Sequence, residues 1–344
     1  MELGSRELPE FYLPFPEQAG HPEAAEIEAA ACAWARERGL VDEAGWRRVT
    51  ASRVVSAGTG CYDRAGRAEM DILARWYVWS LVVADDLDGG PRGESAQEWS
   101  RRSAALVADL TAVFQGRAVP DGARHGPLFS AVADDLWPRT AERMSADWQR
   151  RFADHHHACL AAYRWQAAVR NGILPAPTLA DYITRRRFSY GGYVFFDLID
   201  LVEGVRLPER FYAERTWHDL TAAASDAMAW TNDIISLPKD LRDGERTNLL
   251  VLARGQLGGT WRECADQANA MVSERLRQFL YAYADLPYTV SRLGLDAEAL
   301  TQAQQLAARL GAKVRASLNW HLRSARYTAG NGTAPAPTDA PPSP

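Results

Sequence analysis

Cysteine is scarce in this chain: Cys32, Cys61, Cys159 and Cys264 are scattered through 344 residues. No Cys-x-x-Cys pair occurs and no spacing matches a zinc site, which argues against a structural zinc module; the four are read as reduced core or pocket thiols. Long apolar runs are missing too. Without eighteen consecutive apolar residues anywhere, no membrane-spanning helix is expected. Glu2, Arg6, Glu7 and Glu10 interrupt anything resembling a secretory signal, so the expected location is the cytoplasm. Nor is there an excess of positive charge. Against 44 acidic residues stand 39 Lys and Arg, a net charge of −5, whereas nucleic-acid binders concentrate basic residues. Strand-like alternation is almost absent, and no internal repeat is visible.

What the chain does have is apolar and aromatic bulk: 47% hydrophobic residues and 12 Trp. A chain of this length buries roughly three quarters of its surface on folding, so a deep cavity is feasible. Helical periodicity runs over about 22–38, 42–56, 66–86, 96–115, 126–136, 138–171, 178–190, 193–203, 208–238, 258–286 and 296–326. Breakers stand between these segments at Gly89-Gly90-Pro91, Gly172, Pro175, Pro177, Pro208, Gly255, Gly258-Gly259 and Pro287. The expectation is one all-α domain over 1–327, with 1–20 as an extended strap set by Pro9, Pro14 and Pro16. Residues 328–344, rich in Ala, Pro, Thr and Gly, are expected to be a disordered tail.

Chemistry concentrates in Thr231-Asn-Asp-Ile-Ile-Ser-Leu-Pro-Lys-Asp240. Asn232, Ser236 and Asp240 fall at i, i+4 and i+8, one face of a helix. An amide oxygen, a hydroxyl and a carboxylate in a row suit a hard cation such as Mg²⁺, which usually completes its shell with water and substrate phosphate. Pro238 lies inside this span, so either the helix bends there or Asp240 comes from a loosened turn. A second acidic element, Val82-Val-Ala-Asp-Asp-Leu-Asp-Gly-Gly90, ends an apolar helix with Asp85, Asp86 and Asp88. Acids at a helix C-terminus oppose the macrodipole, which favours a cation-bound role. Further on, Arg185-Arg-Arg-Phe-Ser-Tyr-Gly-Gly192 sets guanidinium forks, which match diphosphate oxygens, beside a helix break.

Together these elements resemble the metal-binding motifs of class I terpene synthases, with two departures: the third acid comes one place early at Asp88, and the downstream motif ends in Asp240 rather than Glu. The resemblance covers nearly all of 11–327. It implies an all-α class I terpenoid synthase bundle around a central active-site cavity, with metal ligands Asp85, Asp86, Asp88, Asn232, Ser236 and Asp240. If Gly191 is the break, Arg186 is the diphosphate sensor, Ser189 the linker and Tyr190 the effector; Arg187 takes the sensor role if the break is Gly192. Arg326-Tyr327 resembles the family's C-terminal lid pair, and Lys239 joins Arg186, Arg326 and Tyr327 in binding substrate.

Trp79, Phe195, Phe196 and Trp320 are the expected pocket rings, with Trp76 and Trp230 as further candidates, since aromatic faces stabilise a carbocation without trapping it. His155-His-His157 is not read as a metal site, because consecutive helical residues diverge. The implied activity is Mg²⁺-dependent ionisation of an isoprenoid diphosphate, with three ions, followed by cyclisation. The expected substrate is farnesyl diphosphate and the product a sesquiterpene; a diterpene synthase acting on geranylgeranyl diphosphate is the alternative. Neither nucleic acid nor membrane insertion is expected, and a homodimer is left open.

Overall fold

The computed structural model describes residues 8–91, 93–119 and 126–328, and among them no strand occurs. The first half of the chain forms α1 (Ala24–Glu37), α2 (Glu43–Ser52), α3 (Ser56–Thr59), α4 (Arg67–Asp88), α5 (Ala96–Phe114), α6 (Gly126–Ala131), a π-helical turn at Val132–Leu136, α7 (Trp137–Ala141) and α8 (Ala146–Arg170). The second half forms α9 (Leu179–Ser189), α10 (Gly192–Glu203), α11 (Glu209–Tyr212), α12 (Arg215–Arg242), α13 (Leu249–Leu257), α14 (Trp261–Ala284), α15 (Leu286–Arg292), α16 (Ala297–Arg323) and α17 (Ala325–Thr328).

Side-chain caps fix many starts. Asp42, Ser145, Thr178, Asn248 and Asp296 each accept a backbone N–H of the first turn, and Ser95 with Glu98 and Thr260 with Glu263 form reciprocal capping boxes, satisfying donors a helix start leaves open. Several expectations are corrected: the segment at 42–56 is α2 and α3, and Gly255, expected as a breaker, lies inside α13. The segment anticipated at 138–171 is two helices, because Ser145 caps a fresh start after α7. The segment at 208–238 divides into α11 and α12, and that at 258–286 stops at Ala284 before α15, whose Pro287 sits in a first turn that needs no N–H there.

Apolar faces meet in two core groups. One joins α1, α4, α5 and α8 around Trp76, Phe114 and Phe152; the other joins α12, α14 and α16 around Leu220, Leu276, Phe279 and Leu310. Residues of the N-terminal stretch lie across this second group. Phe15 packs edge-on to Phe279 at 5.1 Å between ring centres, against Gly311 of α16, where a Cβ would fall 2.6 Å from its ring. Arg315 donates to the carbonyl oxygens of Phe15 and Leu13, and Asn319 to Glu17. The tail anticipated from 328 onward lies outside the described residues, Thr328 excepted. All four cysteines are buried and unbridged, and no helix among the described residues is long and apolar enough to cross a membrane.

Candidate active site

The last turns of α4 and α12, with the ends of α8, α9 and α17, surround a polar basin of about 710 Å³. Asp85, Asp86, Asp88, Arg186, Ser189, Asn232, Ser236, Lys239, Asp240, Arg326 and Tyr327 all line it. Two stretches far apart in sequence are thus brought face to face. α12 stays helical through Pro238 to Arg242, so Asp240 remains on the face of Asn232 and Ser236. Its carboxylate accepts from Ser236 Oγ at 2.6 Å and from Asn248 Nδ2 at 2.9 Å. The Asn248 amide also donates to the Asp233 carbonyl oxygen at 2.9 Å, tying down the turn that proline weakens.

Arg186 is the arginine of the triplet that enters the site. Buried at 6% exposure, it donates through Nη2 to Asn232 Oδ1 at 2.6 Å and to Asp233 Oδ1 at 2.7 Å. Burial opposes its charge, but Asp233 and Tyr182 outweigh burial and hold the guanidinium protonated beyond its ordinary range. Asp233 is fixed in turn by the Tyr182 hydroxyl at 2.6 Å and the Leu249 N–H at 3.1 Å; burial raises its carboxyl, against Arg186, to about 6. Arg187 instead grips Asp226 through Nε and Nη2, both at 2.8 Å, and Arg185 lies over Trp165. Between α9 and α10 the chain breaks at Gly191 with φ +82°, a conformation that favours glycine. A Cβ there would fall 2.3 Å from the Tyr163 hydroxyl. Tyr190 caps α9, its hydroxyl paired with Ser317 Oγ at 2.6 Å, while the Ser189 hydroxyl is buried without a partner among the described residues.

From the C-terminus, Arg326 Nη2 donates to Asp85 Oδ1 at 2.8 Å, and Asn232 Nδ2 donates to Tyr327 Oη at 3.1 Å. Burial works against the Arg326 charge, and Asp85 and Tyr327 restore it. Asp88 meets Arg170 Nη1 at 2.9 Å; burial raises its carboxyl against that arginine. Asp86 faces Arg102 of α5 at 3.9 Å, and Lys239 pairs with Asp243 at 2.8 Å. Among the described residues no group of three or more His, Cys, Asp or Glu is arranged around a common metal point. The donor set nonetheless fits a hard cation. Asp85, Asn232, Ser236 and Asp240 offer only oxygen, they converge on one basin, and each is satisfied here by a neighbour that an ion could replace.

Below the basin an apolar pocket of about 190 Å³ is lined by Tyr77, Leu81, Tyr163, Phe195, Met228, Trp320 and His321, among others, and shares Arg186, Ser189, Asn232, Arg326 and Tyr327 with the basin. Phe195 and Trp320 therefore take pocket positions. Trp79 and Phe196 do not, which corrects the expectation for both. From α4 the pocket takes Tyr77, Ser80, Leu81 and Ala84, and Trp79 falls on the far side, donating its indole N–H to the Leu128 carbonyl oxygen at 2.9 Å. Phe196, one position past Phe195, is turned into the core against Tyr193. Trp76 and Trp230 are core rings as well. Among the described residues the two buried ring nitrogens of His321 have no partners, and burial pushes it down to about 3, so its imidazole is neutral at physiological pH. Of the histidine triplet, His155 pairs with Asp197 at 2.6 Å and His157 with Thr111 at 3.0 Å, while His156 sits among core rings.

Sequence reasoning missed Arg170, Asp233 and Glu245. Arg170 joins the upstream acidic motif to the segment after α12, meeting Asp88 on one side and buried Glu245 on the other, the latter at 2.5 Å from Nε. Asp233 had a usable signal, since it adjoins Asn232, and Tyr182 stands one turn before Arg186. Arg170 and Glu245 had none, because only the fold brings them together.

Residues 75–278 match the family described as terpene synthase family 2, C-terminal metal binding. Over 308 residues the chain is 29% identical to (+)-T-muurolol synthase ((2E,6E)-farnesyl diphosphate cyclizing) of Roseiflexus castenholzii, covering 89% of this chain and 90% of that one. It is likewise 29% identical over 324 residues to pentalenene synthase of Streptomyces arenae, with 93% of each covered. The solved structure of hedycaryol synthase in complex with HEPES superimposes with a TM-score of 0.79 at 26% identity, over 92% of this chain and 98% of that one. Residues 75–278 take in both acidic motifs and the arginine run between them, and with that match the chain belongs to the terpene synthase family.

Proposed function

We propose that the protein ionises farnesyl diphosphate with three Mg²⁺ ions and closes the resulting allylic cation into a cyclic sesquiterpene. The observation that carries this reading is the continuity of the two compartments: a basin of oxygen donors and arginines opens, at Arg186, Asn232 and Tyr327, onto an aromatic pocket. The farnesyl diphosphate that the Roseiflexus relative is named for cyclising supports the fifteen-carbon chain. Asp85, Asn232, Ser236 and Asp240 would hold the ions, with Asp86 and Asp88 beside them; when bound, these supply positive charge to the diphosphate oxygens.

The chain's own groups do the rest. Arg186 and Arg326 turn their forks from Asn232 and Asp85 to the leaving diphosphate, stabilising charge that grows as the C–O bond breaks. Lys239 adds a point charge at the rim. Ser189 and the Tyr190 carbonyl lie at the helix break, where the head group meets the first carbons of the chain. Tyr327 covers the junction and keeps water from the cation. Tyr77, Phe195 and Trp320 then face the migrating charge.

The test is incubation of purified protein with Mg²⁺ and geranyl, farnesyl or geranylgeranyl diphosphate, with headspace and extract analysed by gas chromatography and mass detection. Cyclic sesquiterpenes from farnesyl diphosphate, lost on chelation and restored by Mg²⁺, are expected. Diphosphate release that persists under chelation overturns the metal role, and absence of turnover with all three substrates overturns the activity.

A further inference from the structure

One buried charge-bearing group has no part in the mechanism above. Lys313, on α16, is 0% exposed, and among the described residues no carboxylate stands within ion-pair reach of it. Its Nζ donates to one partner, the Tyr77 hydroxyl, at 2.9 Å. Around it stand three rings, with Nζ at 5.3 Å from the centre of Tyr77 and 5.7 Å from those of Tyr62 and Phe195. A lysine buried without an anion is costly to keep, and burial does push this amine below its ordinary range. A methionine or leucine would fill similar space without that cost, so the amine needs a reason.

Tyr77 supplies one. It stacks on Phe195 at 3.9 Å between ring centres and 15° between planes, and both rings line the apolar pocket while Lys313 does not. The Tyr77 ring is held on three sides. Phe195 covers one face, Lys313 holds the hydroxyl, and Gly58 of α3 makes room at the edge, where a Cβ would fall 2.2 Å from Cε2. A ring that can neither tilt nor slide presents its face to one region of the pocket only. In a cascade in which cation position decides the product, such a face selects among near-equal routes.

We propose that Lys313 is a specificity-determining positioning residue: through its bond to the Tyr77 hydroxyl it fixes the Tyr77–Phe195 stack as the wall of the apolar pocket and thereby sets the product ratio. This rests on the carbocation chemistry proposed above. It needs no contact between Lys313 and substrate, and it predicts coupling that a purely structural lysine would not show.

The experiment compares wild type, Lys313→Met, Tyr77→Phe and the double variant with farnesyl diphosphate and Mg²⁺, measuring diphosphate release and product ratio separately, with circular dichroism as the folding control. Lys313→Met and Tyr77→Phe should each shift the ratio of major to minor products by about threefold or more, the scale of one ring contact to a cation. The double variant should match Tyr77→Phe alone, because Lys313 acts through that hydroxyl. An unchanged ratio in Lys313→Met, or independent shifts that multiply in the double variant, overturns the proposal. Should Lys313→Met fail to fold, Tyr77→Phe decides: it removes the same bond and keeps every ring, and an unchanged ratio overturns the proposal equally. Wild-type protein that releases no diphosphate from any of the three substrates would overturn the functional reading and this inference with it; active wild type with unaltered variants overturns the inference alone.

Discussion

Asn232 and Ser236 stand one turn apart on a face of α12 that looks into the basin, and neither belongs to the apolar core of that helix, which is made by residues such as Leu220, Ala224, Ala227 and Ile234. Asn232→Ala or Ser236→Ala should therefore abolish turnover while the helical circular dichroism stays unchanged; full activity in either variant would remove both from the ion site. Arg186 allows a sharper comparison, because its neighbours have separate partners. Arg186→Lys keeps the charge but loses the fork shared between Asn232 and Asp233, and should cost at least about 2 kcal/mol of transition-state stabilisation, tens-fold in rate. Arg185→Lys, over Trp165 and away from the basin, should be nearly silent in the same steady-state assay. A reversed order would mean that the register of α9 is misassigned. The spacing of Asn232, Ser236 and Asp240, and the place of Arg186 before a Gly-Gly break, made these residues legible in the sequence. The rings were half legible: composition shows that aromatics are plentiful, but a two-residue step from Tyr77 to Trp79 reverses direction on a helix, and which side faces the cavity is decided by the partners of α4.

At the scale of elements, the break between α9 and α10 is where backbone conformation serves the site directly. Gly191 holds φ at +82° under the Tyr163 hydroxyl, placing Arg186, Ser189 and Tyr190 on one side and Phe195 on the other. Gly191→Ala adds both left-handed strain and a clash, each of order 1 kcal/mol or more. The expected result is a melting temperature lowered by a few degrees together with activity reduced well beyond what the folded fraction explains. If activity per folded molecule is unaffected, the break is a connector and nothing more. Glycine pairs announce such breaks in sequence. Ser145 does so less plainly: a serine before a long helical pattern is common, and only the turn at Glu142–Met144 shows that it starts a helix rather than lying within one. The π-helical turn at Val132–Leu136 precedes Pro138, which lacks the N–H for an ordinary helical bond; what the sequence does not show is Asp135 drawn inward by the Trp34 indole at 2.7 Å and by Arg38 at 3.1 Å. At Pro238 the sequence allowed either a bent helix or a loosened turn, and the loosened turn is not what forms. α12 continues past the proline because Asn248, from the following segment, ties the last turn through Asp240 and the Asp233 carbonyl.

For the molecule as a whole, chain length of the substrate is decided by how much apolar space remains once the two helical groups have packed. The polar basin is the larger compartment, about 710 Å³, and the apolar pocket is about 190 Å³. A diphosphate head with its ions needs the first, while each added five-carbon unit must be housed in the second. Its walls do not give way easily. Phe195 is stacked on a Tyr77 ring that is itself clamped, and Trp320 is anchored by its indole N–H to the Ser52 carbonyl oxygen at 2.8 Å. Overfilling a packed site forces side chains off their preferred conformations, so geranylgeranyl diphosphate should be disfavoured by at least about tenfold in kcat/KM, the selectivity a hydrophobic pocket can reach for a small change in apolar bulk. Removing a wall should relax that choice. Phe195→Ala, which opens the pocket without touching Asp85, Asn232 or Arg186, should raise the ratio of geranylgeranyl to farnesyl efficiency by about tenfold, and it should do so by rescuing the longer substrate as well as slowing the shorter one. If both efficiencies fall in parallel, Phe195 serves packing alone and the contour that excludes the longer chain lies elsewhere. A tenfold preference of the wild type for geranylgeranyl diphosphate would overturn the fifteen-carbon assignment, yet the basin would be untouched by that result, because the head group and its arginines are the same for both chains.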